Sequence, residues 1–389
     1  MARLGDICEI VSGTTPKTNV SEFWDGEINW ITPAELNDDS TVIYESQRKI
    51  TEKAVQNGGL RPFPAGTVIL SSRAPIGKVA IAGVEMYCNQ GFKNLICSEH
   101  IYNKYLFWFL KSKTDYLNFL GRGATFKEIS KSIVANIEIP LPTMETQQYI
   151  FVLLDKISEL IALRKQQIEK LDELVKTRFM EMFGDPQTNL MGWPVVNIST
   201  VIGDRVSNGF FARRDEFVDD GNVAVLGVAY VVNRMYSQCT DLPRTNATDK
   251  DIQKYAVKYG DMLFCRSSLV AEGIGKASII PEDAPQNTLF ECHVIRLPLN
   301  LSKCVPEFMQ VLTTTDFFRE QILSQSKTAT MTTIGQDGIL KSNIILPPME
   351  IQKEYYDFIV QINKCKLTIQ QGLNKLEMMK KAMMQEYFG

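Results

Sequence analysis

Two long stretches of helical periodicity dominate the pattern of apolar and polar positions. From about residue 144 to 183 neither Gly nor Pro interrupts the chain, and apolar residues recur at Leu154, Ile157, Ile161, Ile168, Leu171, Val175 and Met182. A second series, Ile150, Leu153, Leu160 and Leu174, widens this stripe beyond what a two-helix seam uses. The other stretch begins near residue 349, with Tyr355, Phe358, Ile362, Cys365, Ile369, Leu376, Met379 and Met383 spaced by threes and fours like heptad a and d positions. Gly372 falls on that seam and is expected to loosen it. Each helix would reach roughly 60 Å at 1.5 Å per residue. A Pro-containing approach precedes each one (Ile139-Pro140-Leu141-Pro142 and Leu346-Pro347-Pro348), and Phe-Gly closes each. Two core helices of one ordinary domain is the plainer reading. The matched flanks favour rods between domains that pair with each other.

The flanks belong to an internal repeat. Pro142, Met144, Glu145 and Gln147 return as Pro347, Met349, Glu350 and Gln352, and Phe183-Gly184 returns as Phe388-Gly389, all offset by 205 residues. Upstream the offset drifts, to 198 between Ile76-Gly77-Lys78 and Ile274-Gly275-Lys276 and to 194 between Gly66 and Gly260. Two copies are too few for a solenoid, so a pseudo-twofold molecule is expected. The diverged parts read as strand-rich, with strand-like runs at 67–71, 78–82, 95–97, 223–232, 262–265 and 292–297. Short helical patterns lie at 102–111 and 307–313. The expected fold is α+β: two strand-rich domains, 1–143 and 185–348, each followed by a long helix, 144–184 and 349–389, with the helices pairing as an antiparallel coiled coil.

Composition narrows the chemistry. The 389 residues are 44% apolar and 22% charged, a globular balance with room for more than one core. No run approaches the roughly 18 apolar residues of a membrane span, and the amino end lacks an apolar signal core. Eight cysteines stand without a C-x-x-C pair, which points to reduced thiols in a cytoplasm rather than a zinc ribbon. With two histidines, His100 in a turn and His293 in a strand, neither given a role, most metal and triad chemistry is excluded. The Gly77-Lys78 and Gly275-Lys276 pairs fail as phosphate loops. The first-glycine positions hold Ser72 and Val270, and the hydroxyl positions hold Val79 and Ala277. There is no G-x-S-x-G elbow, H-E-x-x-H helix or N/D-P-P-Y/F stretch, and no catalytic constellation, so the chain reads as non-enzymatic.

Several loops suit nucleic acid. Ser12-Gly13-Thr14-Thr15-Pro16-Lys17 and Ser207-Asn208-Gly209-Phe210-Phe211-Ala212-Arg213-Arg214 offer backbone N–H groups, hydroxyls and cations for phosphates, although a plain surface turn has the same composition. Arg73 and Arg266 precede the turns that carry Lys78 and Lys276. Arginine grips guanine through two hydrogen bonds, and Asn or Gln grips adenine. That singles out Asn89 and Gln90, with Lys93 beyond them and Asn287 placed at the matching position of the second copy; a capped turn is the alternative for Asn89-Gln90. The polar loops carrying Arg122, Thr125 and Lys127, and Lys327 and Thr330, complete the set. A net charge of −3 means that any DNA contact comes from local patches, with partners supplying the rest of the grip.

The opening Leu4-Gly5-Asp6 through Gly13-Thr14-Thr15-Pro16 resembles that of the specificity subunits of type I restriction–modification systems. So do Ala74-Pro75-Ile76-Gly77-Lys78, Asn89-Gln90-Gly91-Phe92, the approach at 139–147 and the rod ending Met182-Phe183-Gly184-Asp185-Pro186. The second copy departs most, with Gly209-Phe210-Phe211-Ala212 for Gly-Thr-Thr-Pro. The resemblance implies a sequence-specific DNA-binding subunit reading a bipartite target on double-stranded DNA, one half-site per recognition domain, with the helices setting the spacer. It further implies modification subunits, typically two, that carry S-adenosylmethionine and methylate adenine, and restriction subunits that bring ATP and Mg; this chain itself would bind no cofactor and no membrane. A scaffold holding two protein-binding domains, with no DNA role, is the alternative.

Overall fold

The computed structural model describes residues 1–37, 41–73, 75–123, 127–328 and 330–389. They form two compact units, Met1–Gln166 with Gln370–Gly389, and Gln167–Ile369. The long helices Met144–Phe183 and Met349–Phe388 each contribute one part to each unit.

In the first unit a five-stranded sheet runs in the order Cys8–Ser12, Lys93–Cys97, Val68–Leu70, Val79–Ala82, Val42–Ile43, with the last pair parallel. Apolar runs make these strands because both faces are covered. Val68, Leu70, Val79, Ile81 and Leu95 belong to the same core cluster as the residues of helix Asn103–Ser112. Ile69, Ala80, Ala82 and Phe92 fill a second cluster on the opposite face. A smaller sheet, Lys49–Ile50, Trp24–Ile31 and Tyr87–Cys88, stands beside it.

The second unit repeats this plan. Its sheet runs Ser207–Asn208, Val294–Pro298, Asp261–Cys265, Ala277–Ile279, beside Arg244–Thr245, Val223–Leu226 and Leu289–Phe290. Register makes the equivalence quantitative. Val68 pairs with Ile81 and Leu95, and Met262 pairs with Ile279 and Leu297. The second unit therefore has four more residues in each of two connections, which is the physical content of the upstream drift in offset.

Two local expectations are corrected. The run 223–232 is strand only over Val223–Leu226. It then tightens into a one-turn helix, Val228–Tyr230, because the Glu291 carboxylate accepts a hydrogen bond from the Val228 N–H at 2.9 Å. His293 lies in the turn before strand Val294–Pro298, not in the strand. The short helices fall at Asn103–Ser112 and Pro306–Leu312, within a residue or so of expectation.

Within each unit the early part of one long helix lies against the late part of the other, so the pairing is antiparallel. In the first unit Ile150 and Leu154 share a cluster with Phe388, whose ring sits 5.3 Å from Tyr105, and Lys165 pairs with Glu377 at 3.5 Å. In the second, the rings of Phe179, Phe183, Phe308 and Tyr355 pack mostly edge to face at 4.8–5.7 Å, the Tyr355 hydroxyl donates to the Val175 carbonyl at 2.9 Å, and Lys366 pairs with Asp172. The seam of the second helix differs from expectation. Cys365 and Met379 are exposed, while Tyr355, Ile359, Ile362 and Leu373 are buried. Lys366, not Cys365, occupies the half-buried position, its stem covered and its ammonium paired. Ile362 to Leu373 is an eleven-residue step, which keeps a straight helix in phase where a strict heptad drifts. Gly372 thus sits beside the seam, where an added Cβ would meet nothing within 4 Å.

The repeated glutamine has a structural reason. Gln147 is fully buried at the mouth of the first long helix. Its amide donates to the His100 and Pro142 carbonyls, both at 3.0 Å, and accepts from the Tyr102 N–H at 2.8 Å. Gln352 does the same in the second unit, donating to Pro347 at 2.7 Å and accepting from the Val305 N–H at 2.9 Å. Replacing Gln147 by Leu strands three backbone groups. Urea denaturation is expected to show a loss of about 2–4 kcal/mol in the first unit's transition, whereas Leu at the exposed neighbour Gln148 changes it by less than about 0.5 kcal/mol.

Candidate nucleic-acid interface

In the first unit, hydrogen bonds lace four loops that are far apart in sequence into one polar face. Thr14 donates its N–H to the Cys88 carbonyl at 3.0 Å and accepts from the Trp30 indole at 3.1 Å, while the Thr15 hydroxyl donates to the Gln90 side-chain carbonyl. Next in line, the Ser72 N–H donates to the Gly91 carbonyl at 2.7 Å, and the Ile129 N–H to the Ser72 carbonyl at 2.9 Å. Arg122 and Glu128 exchange both backbone hydrogen bonds, at 3.0 and 2.9 Å, bringing the Arg122 loop alongside Arg73. Glycine is required where the first loop touches down, since a Cβ on Gly13 would lie 2.2 Å from the Cys88 carbonyl oxygen.

Glu128 is the electrostatic centre of this face. Arg73 Nε donates to one of its oxygens at 2.9 Å and the ammonium of Lys93 to the other at 3.2 Å. Lys93 is itself buried, at 6% exposure, so the carboxylate is what makes its charge tolerable there. Partial burial works to raise the Glu128 pKa, but the hydrogen bonds from Arg73 and then Lys93 outweigh it and hold the carboxyl below its usual range. Sequence reading missed Glu128. Its signal was faint: an acidic residue directly after Lys127, at the end of the loop that carries Arg122.

The remaining first-unit residues take separate places. Asn89 caps the following turn, accepting from the Gly91 N–H at 2.9 Å, while Gln90 stays exposed. The Lys78 ammonium turns inward to the Leu36 carbonyl. Lys17, Arg122 and Lys127 are exposed. Thr125 lies outside the described residues, as does Ala74 of the Ala74–Lys78 motif.

The second unit builds the same frame from different side chains. Phe210 donates its N–H to the Phe290 carbonyl at 2.7 Å, as Thr14 does to Cys88, and a Cβ on Gly209 would lie 2.2 Å from the Glu291 carbonyl oxygen. Arg266 donates its N–H to the His293 carbonyl at 2.8 Å and accepts from the Ile334 N–H at 3.0 Å, so its backbone stands where Ser72 does. Ser267, bridged to Thr333, is therefore the counterpart of Arg73. Glu291 takes the place of Asn89: its N–H donates to the Leu226 carbonyl as that of Asn89 donates to Ile31. The expected match at Asn287 is corrected. Asn287 sits at φ 59° in an exposed turn two residues before strand Leu289–Phe290, displaced by the longer connection.

Arg266 itself donates to the Cys292 carbonyl at 3.2 Å, and His293 Nδ1 lies 3.2 Å from the Ser267 hydroxyl. Lys276 donates to Asn233 at 2.6 Å. Asn208 pairs with Ile295 in the sheet, and Arg213, Arg214, Lys327 and Thr330 are exposed. Glu291 and His293 were not singled out for contact by sequence reading, because the offset of 202 that aligns them with Asn89 and Gly91 emerges only from strand register.

Removing the Glu128 carboxylate tests this electrostatic frame. Glu128→Ala leaves Lys93 buried without its counter-charge and is expected to cost about 3 kcal/mol. Because the folded-state pKa is lowered, the stability that Glu128 contributes is present above the ordinary carboxylate range and is lost as pH falls through the lowered value. Melting curves should therefore separate wild type from variant at neutral pH and converge in acid.

Comparison with known proteins also finds two copies of one domain. A family described as type I restriction modification DNA specificity domain matches residues 1–173 and again 193–378. The MjaIX type I restriction enzyme specificity subunit of Methanocaldococcus jannaschii is 30% identical over 376 residues, covering 92% of this chain and 85% of that protein. The EcoKI specificity subunit of Escherichia coli is 22% identical over 332 residues, covering 78% of this chain and 68% of that one. Among solved structures, a chain from a study of type I R-M complex assembly and conformational transition superimposes with a TM-score of 0.62 at 18% identity, covering all of this chain and 96% of its own. The S subunit of a type I system from M. genitalium gives 0.55 at 12% identity, covering all of this chain and 95% of its own. At those identities the structures establish the shared fold.

Proposed function

Since this chain belongs to the type I restriction modification DNA specificity family, we propose that it is the non-catalytic subunit that reads a split DNA target. Domain 1–143 reads one half-site and domain 185–348 the other, while helices 144–184 and 349–389 fix the spacer between them. One observation carries this reading: in both units the polar loops are laced at equivalent register into one face, on a frame that is the same and with side chains that differ. A shared frame with different readers is what an asymmetric bipartite target requires.

Side-chain chemistry supports a division of labour. In the first unit Arg73, oriented by Glu128, suits guanine, and exposed Gln90 suits adenine. In the second, Ser267 replaces Arg73, and Glu291 offers a carboxylate for the amino group of a base. Exposed apolar residues on the long helices, Val152, Leu160, Leu163 and Leu174 on one and Leu367 and Met378 on the other, suit docking of modification subunits, two per chain. Those subunits bring S-adenosylmethionine and methylate adenine, and restriction subunits bring ATP and Mg. The assembly we propose works on DNA in the cytoplasm; among the described residues no helix is long and apolar enough to cross a membrane.

Methylation mapping in a methylation-free host tests the reading. Co-expression with the modification subunit is expected to produce a new split motif, absent without this chain; a stable complex that leaves no motif supports a scaffold instead. Exchanging residues 1–143 for those of a relative should change one half of the motif only. Arg73→Ala should cost on the order of 1–3 kcal/mol at a single base position, whereas an equal loss on all sequences identifies a phosphate contact.

A further inference from the structure

The chain carries a net charge of −3, yet each unit concentrates cations around a cavity that base reading does not use. In the second unit a cavity of about 460 Å³ is lined by Lys176, Arg234, Lys276 and Arg319, against the single carboxylate of Asp172, which Lys366 already pairs. Arg319 donates through Nη2 to the Glu272 carbonyl at 3.2 Å, and its buried Nη1 has no partner among the described residues. Gln310, Thr313 and Asn233 add neutral polar groups to the wall.

The first unit has its own cavity, of about 550 Å³, where Lys111, Lys113, Lys165, Lys380 and Lys381 face Asp115 and Glu377. Burial, and then repulsion from Lys111 and Lys165, pull the Lys380 pKa below its ordinary value. The ammonium is held there 4.6 Å above the Trp108 ring. Lys165 pairs with Glu377 at 3.5 Å and Lys113 donates to the Gly389 carbonyl at 3.1 Å, so the excess positive charge lies around Lys380 and Lys381, where like charges repel one another unless a further anion joins them.

The two cavities occupy equivalent places. Asp172 and Lys176 of one correspond to Glu377 and Lys381 of the other at the repeat offset of 205. Both adjoin the Gly-Lys turn of the recognition face. In the second unit Lys276 is itself part of the wall; in the first, Thr114 and Asn118, neighbours of Lys113 and Asp115, donate to the Gly77 and Ile76 carbonyls at 3.4 and 3.1 Å.

Building on the DNA-reading function above, we propose that each cavity is a sequence-independent clamp for backbone phosphates of the DNA duplex. The clamp supplies locally the electrostatic grip that the acidic chain lacks as a whole. Its position beside the recognition loops lets one face of a unit read bases while the neighbouring cavity holds the backbone.

The test uses the assembled complex of this chain with its modification subunit and two duplexes, one carrying the mapped target and one with both half-sites scrambled. Affinity is measured from about 50 to 200 mM salt for wild type and for the paired variants Lys176→Gln/Arg319→Gln and Lys380→Gln/Lys381→Gln. Each Gln pair is expected to weaken both duplexes by the same factor and to flatten the slope of log affinity against log salt by about 1–2. Lys380→Arg/Lys381→Arg, which keeps the charge, is expected to restore the slope and so separates a charge effect from misfolding. An unchanged slope overturns the clamp. So does loss of the modification subunit with the slope unchanged, since the cavities would then be taking acidic side chains of that subunit. A wild-type complex that does not distinguish the two duplexes counts against the targeting function, not against the clamp, whose readout is the slope.

Discussion

Everything in each unit depends on how the chain passes from a sheet into a long helix without leaving backbone groups unsatisfied. Gln147 and Gln352 solve this in the same way, each buried amide donating to a carbonyl of the Pro-containing approach and accepting from an N–H of the segment leading into the short core helix, and Gln147 also donates to the His100 carbonyl. An unpaired buried polar group costs about 1–3 kcal/mol, so each amide outweighs many surface contacts. The aromatic packing of Phe179, Phe183, Phe308 and Tyr355, and that of Tyr105 and Phe109 on Phe388, builds outward from these fixed points.

On this frame the loops are free to differ. The two sheets align residue for residue where Val68 and Met262 meet their partners, yet the connections between strands differ by four residues each. Main-chain hydrogen bonds tolerate that change because they hold the loop ends, not their side chains. Arg73 and Ser267 can therefore share one backbone position, as can Asn89 and Glu291. The same separation puts charge where it can persist: Lys93 is buried only because Glu128 reaches it, and Lys380 is tolerated over an aromatic face in a polar cavity.

The helices were legible in the sequence because long apolar stripes at helical spacing, with Pro before them and Gly after them, mark helices and their ends. The first seam, through Leu154, Ile157, Ile161 and Val175, is buried as its spacing implied. The second was misphased at Cys365, where hydropathy favours a cysteine over the lysine beside it and pattern alone is blind to a lysine whose charge is paired. The loop motifs named segments that hydrogen bonds bring together in each unit. Glu128 escaped notice because its partners Arg73 and Lys93 lie 55 and 35 residues away in sequence.

The sequence by itself determined the repeat, the α+β character of the units, the long helices and the polar loops, since each of these is written in local spacing and composition. Only the tertiary structure decided which positions of the two units are equivalent and which side chains gather: Glu291 and not Asn287 stands where Asn89 does, Ser267 and not Arg266 stands where Arg73 does, and lysines and arginines surround a cavity in each unit. The physical reason is that strand register and helix packing bring together positions tens to hundreds of residues apart, and insertions of a few residues between strands shift the count along the chain while leaving the hydrogen-bonded frame in place.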